Sequence, residues 1–411
     1  MGSRTRIRSP RVGALRMAVL GVTALAAVVL GASGTVNAAT RPAKAVTTAA
    51  SALTPTSFNR NFSAMVRLRS LVKEGKGGIT AILPDTVSSA RYTEFDAPFL
   101  TTAMMTADLP AADITVENAE GVDATELSDA EAAVTAGSKV IIMDPLDSGV
   151  GAAIETYAKS HGVDVIDYDR LTLGGSREYY VSFNNVKVGT LIGKGFVACA
   201  AAWHVKKPEV MVMHGATTDN NATLFAQGYD KVLAPYFKDG KYVDVANTAG
   251  TWTPSDALTE FQQAYTAHSN INSAVIPNDE TGAPIISYLQ SLHIKPKTFP
   301  TTGQDATLVG LQNVLSGYQC GTVYKPIYEE AQAAVALAIY LRAGKTPPAS
   351  LVNSTTEDTV NNVAVPSVLL KPEWVTTKNM NSTVIADDFV PAYELCASPF
   401  SKDCKAAGIK P

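Results

Sequence analysis

The sequence predicts an α/β protein built of two successive lobes, each a parallel sheet covered by helices. Two observations predict this class. From Gly78 onward, short β-branched runs alternate with segments of helical periodicity, and the same rhythm returns in a second block. Buried strands separated by helices are typical of βαβ units, and 411 residues exceed one ordinary domain.

The expected strands follow one another in a regular order. The first block contains the runs GITAILPD, ADITVEN, SKVIIMDP, GVDVIDYD and EYYVSFNN. The second contains PEVMVMHG, YVDVANTAG, NSAVIPND, FPTTGQD and GTVYKP. Intervening segments such as ATELSDAEAAVTAG have the apolar spacing of helices, and each block is large enough to bury a core of its own.

The amino end has the pattern of a secretory signal peptide, which we place at residues 1–38. Five arginines precede an uncharged run from Met17 to Gly31, and small residues follow with a cleavage site expected after Ala38. The run is shorter than the ~20 residues of a membrane span, and no cysteine follows it to carry a lipid anchor. We therefore expect an exported protein, periplasmic or extracellular and associated with the cell surface.

Two segments flank the sheet blocks. Residues 39–77 predict a linker rich in Ala, Thr, Ser and Pro and then a leading helix, and residues 388–411 form a cysteine-containing tail. Four cysteines in an exported chain indicate disulfides. Cys396 and Cys404 could close a small loop, which leaves Cys199 and Cys320 as the other possible pair, but the spacing does not fix the connectivity.

Charge and cysteine spacing exclude several classes of partner. The formal net charge is −4, and the mature chain is more acidic still because the leader carries five arginines and no acid. Nucleic-acid binding requires clustered Lys and Arg, so we expect no such partner. No CxxC occurs and the histidines are dispersed, so neither a metal site nor a cofactor is expected.

Polar and aromatic residues cluster where strands end, which indicates a ligand cleft. Ligands of open α/β sheets bind outside the carboxyl ends of the strands. A sugar needs planar side chains that donate and accept hydrogen bonds, and aromatic surfaces for its C–H faces. The candidates at strand ends are Arg91, Tyr92, Asp169, Arg170, Asn221, Trp252, Asn278, Asp305 and Lys325.

Long ordered strings carry a family resemblance from about Gly78 to Leu370. These are VDVIDYDR, YYVSFNNVKVG, DNNATLFAQGYDKVLAPYF, TWTPSDAL, NDETG, TTGQDATLVGLQNVLSG and GTVYKPI. In their order and spacing the chain resembles the type 1 periplasmic sugar-binding proteins of ABC transporters, and among them the xylose-binding proteins. The nine candidates fall on the family's sugar-contacting positions, with Tyr92 where xylose-binding members carry a tryptophan.

The resemblance implies two doubly wound parallel-sheet lobes joined by a three-crossing hinge. It places residues 78–183 and 326–362 in the first lobe and residues 184–325 and 363–387 in the second. It implies a monomeric receptor that captures a monosaccharide, with a xylose-like aldopyranose favoured, and passes it to a membrane permease. A sensor that presents the bound sugar to a membrane signalling protein would have the same cleft.

Each candidate also has a purely structural interpretation. Asp219, Asn220 and Asn221 could cap the helix that follows, and we expect one of them to cap while Asn221 faces the sugar. Asp169 and Arg170 could form a surface ion pair, but their position at a strand end favours the cleft. A carbohydrate hydrolase is the less favoured alternative, because Arg170 and Lys325 would keep Asp169 and Asp305 ionised. We therefore expect no enzymatic activity.

Overall fold

The computed structural model of the chain describes residues 52–410. The expected signal peptide and the first part of the linker lie outside the described residues. Within residues 52–410, the longest apolar helices fall short of what a membrane crossing requires. The elements below are numbered in chain order.

The strands of residues 52–410 are short, as buried strands of α/β proteins are. They are β1 (Gly78–Leu83), β2 (Ile114–Asn118), β3 (Ser138–Met143), β4 (Asp164–Tyr168), β5 (Tyr179–Phe183), β6 (Glu209–Val212), β7 (Val243–Asn247), β8 (Ser273–Val275), β9 (Gly303–Gln304), β10 (Thr322–Tyr324), β11 (Ser354–Asp358), β12 (Val363–Leu370) and β13 (Glu373–Val375).

The α-helices of residues 52–410 alternate with the strands until β10, except that β5 follows β4 without a helix between them. They are α1 (Arg69–Glu74), α2 (Ala97–Thr106), α3 (Asp123–Thr135), α4 (Ser148–Ser160), α5 (Asn185–Ala202), α6 (Asn220–Lys238), α7 (Pro254–Ala267), α8 (Asp279–Ser291), α9 (Leu308–Ser316), α10 (Ile327–Arg342), α11 (Ala392–Leu395) and α12 (Ser401–Ala406).

The first lobe contains one seven-stranded sheet in the order β11-β12-β5-β4-β3-β1-β2. All neighbouring strands run parallel except β11, which pairs antiparallel with β12. Helices α2 and α10 cover one face, and α3 and α4 cover the other. Because α10 lies between this face and the leading segment, its alanine-rich run from Ala331 to Ile339 is buried throughout.

The second lobe divides its strands into two three-stranded sheets, β7-β6-β8 and β13-β10-β9. The sheets adjoin between β8 and β9. There the Ala274 amide donates to the Pro300 carbonyl, and the Thr302 hydroxyl bonds to the backbone of Ile276. The lobe thus keeps the expected parallel α/β arrangement except for β13, which pairs antiparallel with β10, and the Thr302 side chain replaces some of the backbone hydrogen bonds between β8 and β9. Helices α5 and α6 pack on one face, and α7 and α8 on the other.

The chain passes between the lobes three times, and one predicted boundary is wrong. The crossings lie between β5 and α5, between β10 and α10, and between β12 and β13. Residues 363–370 were expected in the second lobe, but β12 pairs parallel with β5 in the first-lobe sheet. The physical reason is that β12 covers the edge of β5, so the third crossing comes after Leu370. The two-lobe α/β class with a three-crossing hinge is confirmed.

The leading segment is an integral part of the first lobe. Leu53, Phe58, Phe62 and Met65 are buried, so the packed chain begins before the expected end of the linker at about Thr56. The expected leading helix is short, since α1 has six residues and follows a 3₁₀ turn.

The tail packs on the second lobe, where α11 and α12 contact α9. A disulfide between Cys396 and Cys404, the tail disulfide, joins α11 to α12. The second-lobe disulfide links Cys199 in α5 to Cys320 before β10. These are the two pairings considered from the sequence. Phe389, just before α11, stacks on Phe95 of the first lobe with ring centroids 4.0 Å apart.

Candidate functional site

All nine candidate residues line one cavity between the lobes, where the carboxyl ends of both sets of strands meet. The space not filled by protein atoms is about 320 Å³ when the solvent that opens onto the cleft is included. Five further residues line it that the sequence did not single out as ligand contacts. They are Ser88, Ser89, Asp219, Phe225 and Gln304.

A π-helical turn positions Arg91 at the first-lobe wall. The turn spans Tyr92–Asp96 and continues into α2, so that the side chains of Arg91 and Asp96 meet. Arg91 donates from Nε and Nη2 to both Asp96 oxygens at 2.8 Å, and from Nη1 to Asp169 and Nη2 to Glu330 at 2.7 Å. Burial disfavours the charge, but the three carboxylates outweigh it and raise the pKa of Arg91.

Asp169 and Asp305 occupy equivalent places in the two lobes. Asp169 directly follows β4 and Asp305 directly follows β9, and both have a positive φ, 56° and 88°. Each amide donates to a neighbouring strand, to the carbonyl of Val181 or of Val323. The left-handed backbone costs free energy and is typical of functional sites, and here it turns two carboxylates toward the same cavity.

Lys325 joins the two aspartates at the second crossing. Its Nζ lies 2.8 Å from Asp305 Oδ1 and 3.9 Å from Asp169 Oδ1. Burial opposes the charge of Lys325, but Asp305 and Asp169 outweigh it and raise its pKa. Burial likewise opposes ionisation of Asp169, but Arg91, Lys325 and Arg170 lower its pKa. Asp169 is therefore an ionised hydrogen-bond acceptor at neutral pH.

Arg170 and Tyr92 form the other end of the first-lobe wall. The Tyr92 hydroxyl accepts from Arg170 Nη2 at 2.9 Å, and the guanidinium carbon lies 5.7 Å from the ring centroid. Arg170 Nε also lies 3.6 Å from Asp144 Oδ1 in the first lobe and 3.5 Å from Asp219 Oδ2 in the second lobe. Tyr92 thus holds Arg170 in place and also presents an aromatic surface to the cavity.

The Asp219–Asn221 stretch supplies a helix cap and a residue of the cavity wall. Asp219 is the N-cap of α6, and its side chain accepts from the Asn221 amide at 2.8 Å. The Asn221 side chain lines the cavity and donates to the Asp169 carbonyl of the opposite lobe at 3.0 Å. Its amide oxygen accepts from Asn185 and Tyr180. One residue therefore caps, and the other joins the lobes at the site.

The position of Trp252 depends on a glycine. The indole packs over Gly215, where an added Cβ would lie 2.1 Å from Trp252 Cζ2. Trp252 Nε1 donates to Asp219 Oδ2 at 3.0 Å, and the ring meets Phe225 edge-on at 6.3 Å. The residue therefore lies at the cavity wall and also packs against the core.

Asn278 and Gln304 complete the second-lobe wall. Asn278 is the N-cap of α8, and its Nδ2 donates to Asp305 Oδ2 at 3.0 Å. Gln304 is buried, and its Oε1 has no hydrogen-bond partner within residues 52–410. Because Gln304 lies on the cavity wall, this oxygen can accept a hydrogen bond from a ligand hydroxyl. The run TTGQD signalled this residue only through its place at a strand end, next to Asp305.

The assembled site combines ionised acceptors, cationic donors, amides and aromatic rings from both lobes. Direct contacts between the lobes, such as Asn221 to Asp169, place the protein in a closed form. Such a set suits a small neutral ligand with many hydroxyl groups, because each hydroxyl both donates and accepts. Residues 52–410 contain no cluster of three or more His, Cys, Asp or Glu side chains that could hold a metal ion.

Comparisons with known proteins agree with this arrangement. Residues 93–346 match the periplasmic binding protein domain family. The D-xylose-binding periplasmic protein of Escherichia coli is 35% identical over 288 residues, which are 69% of this chain and 83% of the relative. The multiple sugar-binding periplasmic receptor ChvE of Rhizobium radiobacter is 29% identical over 285 residues, 66% and 80% of the two chains.

A solved structure has the same fold. It is a carbohydrate transporter solute-binding protein from Chloroflexus aurantiacus in complex with D-glucose. Its TM-score is 0.69 at 25% identity, and the match covers 77% of this chain and 97% of that one.

Proposed function

Because the chain belongs to the periplasmic binding protein family, we propose that it captures a monosaccharide between its two lobes and delivers it to the permease of an ABC transporter. The observation that carries the proposal is the closed cavity lined by all nine strand-end residues. A sugar that contacts residues of both lobes stabilises the closed form by its greater affinity for that form. Closure then gives the permease a surface that differs between the loaded and empty receptor.

The favoured ligand is a xylose-like aldopyranose. The D-xylose-binding relatives of two species are 35% and 34% identical to this chain, which supports that choice. Asp169 and Asp305 would accept from ring hydroxyls, Lys325 would donate, and Gln304 Oε1 would accept from a further hydroxyl. Tyr92 and Trp252 would contact the apolar faces of the ring.

The binding role of its relatives, together with the ionised state of Asp169, argues against a hydrolase. Hydrolysis of a glycosidic bond needs one carboxylic acid that is still protonated near neutral pH. The cations around Asp169 lower its pKa, which suits an acceptor and opposes a proton donor. We therefore propose that the ligand leaves chemically unchanged. A role as a sensor for a membrane signalling protein would use the same cavity.

We further propose that the mature protein is an exported monomer, released from its signal peptide near Ala38. The relatives are periplasmic proteins, which supports export of this chain. The permease is the partner expected for such a receptor. Sedimentation of the secreted protein and sequencing of its amino end would test the monomer and the cleavage site.

Titration of the mature chain with xylose, glucose, galactose, arabinose and ribose tests the proposed function. Calorimetry and tryptophan fluorescence should give saturable binding that is tightest for xylose. Trp252→Ala and Asp305→Ala should weaken it by at least about tenfold, since each removes a contact of the kind worth about 1.4 kcal/mol or more. A folded protein that binds none of the five sugars would contradict the proposal.

A further inference from the structure

Glu280 makes a contact between the lobes that the sugar site does not explain. It lies in the first turn of α8 in the second lobe, two residues after Asn278. Its Oε1 accepts from the Ala90 amide at 2.9 Å and from the Ser89 hydroxyl at 3.2 Å, both in the first-lobe loop after β1. Glu280 itself is not one of the residues that line the cavity.

We infer that Glu280 is a closure residue, which joins α8 to the Ser89–Ala90 loop when the lobes close and links sugar capture to the protonation of its carboxyl group. The inference rests on the proposed function, because closure is taken to accompany sugar binding. Glu280 is a positioning residue in this scheme. It holds the loop that leads into Arg91 against the second lobe, and it does not line the sugar cavity.

The surroundings of the carboxyl group favour its neutral form in the closed protein. Glu280 Oε2 is buried and has no hydrogen-bond partner within residues 52–410. Asp279 precedes it on α8, and Asp305 faces it from the loop after β9. Lys325 is already paired with Asp305 at 2.8 Å, and Ser89 on the opposite lobe carries no charge. Burial and then Asp305 raise the pKa of Glu280 to about 7.

Protonation leaves the contact intact. A neutral carboxylic acid with its proton on Oε2 still has a carbonyl Oε1 that accepts from Ala90 and Ser89. An ionised carboxylate makes the same two hydrogen bonds but leaves a charged Oε2 buried without a partner, which costs free energy. The closed form therefore prefers the protonated side chain.

The direction of the pH dependence follows from this preference. In an open cleft Glu280 faces water, and its pKa falls toward the ordinary 4.5, while Asp305 of the same lobe continues to raise it. Between 4.5 and about 7, closing takes up a proton. This contribution to sugar affinity is greatest at low pH, falls as the pH rises through this window, and levels off above it. Because the shift is large, affinity should fall by about tenfold or more between pH 5 and pH 8.

Two substitutions at Glu280 separate the contact from its protonation. Glu280→Gln keeps an acceptor for Ala90 and carries no charge, so it should bind sugar at pH 8 about as tightly as at pH 5. Glu280→Ala removes the contact, and it should release sugar several-fold faster at every pH. Glu131→Gln, on the exposed face of α3, is the matched control and should follow the wild type.

The test measures calorimetric affinity for xylose and stopped-flow release at pH 5, 6, 7 and 8, with thermal unfolding as a check on the fold. Glu280→Gln with the same pH profile as the wild type would overturn the proton linkage. Glu280→Ala with unchanged release would overturn the closure contact. A wild-type protein that binds no sugar at any pH would overturn the proposed function and this inference with it. That outcome differs from one in which the wild type binds sugar and the Glu280 variants behave like it, which would overturn this inference alone.

Discussion

Replacement of Asp169 by asparagine tests whether the strand-end carboxylates hold the ligand. Asparagine has the same shape as aspartate and tolerates the left-handed backbone that this position requires, so the loop should keep its course. Arg91 retains Asp96 and Glu330 as partners when Asp169 loses its charge. The fold of the first lobe should therefore survive the substitution.

The expected loss can be worked out from the contacts of Asp169. An ionised acceptor that is held by Arg91 at 2.7 Å can offer a sugar hydroxyl a charge-assisted hydrogen bond. Such bonds contribute about 1.5–3 kcal/mol, and each 1.4 kcal/mol changes affinity tenfold. Asp169→Asn should therefore bind xylose about ten to a hundred times more weakly than the wild type in isothermal titration.

Asp358→Asn provides the matched control, because Asp358 is also a buried first-lobe aspartate paired with an arginine. It accepts from Arg177 at 2.9 Å and does not line the sugar cavity. Burial opposes ionisation, but hydrogen bonds from Arg177 and the Gly174 amide lower the pKa of Asp358. Its stabilising contribution is present above about pH 4 and is lost as the pH falls through the lowered value.

The two variants should therefore separate affinity from stability. Asp358→Asn should lower the free energy of unfolding at pH 7 by about 3 kcal/mol, approach the wild type only as the pH falls through the lowered pKa of Asp358, and leave xylose affinity unchanged. Xylose affinity of Asp169→Asn within threefold of the wild type, in a folded protein, would refute the role given to Asp169. Equal losses of affinity in both variants would refute the assignment of the cavity.

Two other predictions concern packing and crosslinking. Gly215→Ala should weaken xylose binding by about tenfold, since the added methyl group displaces the indole of Trp252. Calorimetric titration of the variant checks this, provided that its melting temperature equals that of the wild type. Removal of the second-lobe disulfide, which closes a span of 121 residues, should lower the free energy of unfolding by about 5 kcal/mol. Removal of the tail disulfide, which closes a span of 8 residues, should lower it by about half as much. Urea unfolding of Cys→Ser variants of each pair would measure both, and equal costs would contradict the chain-entropy argument.

The sequence could predict the cavity because position along a βαβ unit determines which edge of a sheet a residue reaches. Asp169 follows VIDY and Asp305 follows TGQ, so both were expected at carboxyl ends of strands, and both are there. The positive φ of these two residues could not be predicted. Nothing in the local sequence demands it, since neither position is a glycine, and it is maintained by hydrogen bonds to neighbouring strands that exist only in the folded sheet.

The sheet to which β12 belongs illustrates a second limit. The run VPSVLL is typical of a buried strand, but its periodicity does not indicate which other strand it pairs with. The exposed edge of β5 decides the pairing, because a parallel strand laid against it satisfies the backbone of both. For the same reason the sequence did not indicate that Glu280 makes a contact between the lobes. An acidic residue in the first turn of a helix is ordinary, and its role depends on which loop the other lobe brings against it.

Arg91 has most of its hydrogen-bond donors engaged within the protein. A guanidinium has five N–H donors, and four of those on Arg91 are bound to Asp96, Asp169 and Glu330. One donor on Nη1 is left for a sugar. The main effect of Arg91 is therefore to fix Asp169 and keep it ionised, so that the acceptor is in place before the ligand arrives. The cations and carboxylates of this wall are already paired with one another, so we expect selection among sugars to depend on groups that still lack a partner, such as Gln304 Oε1.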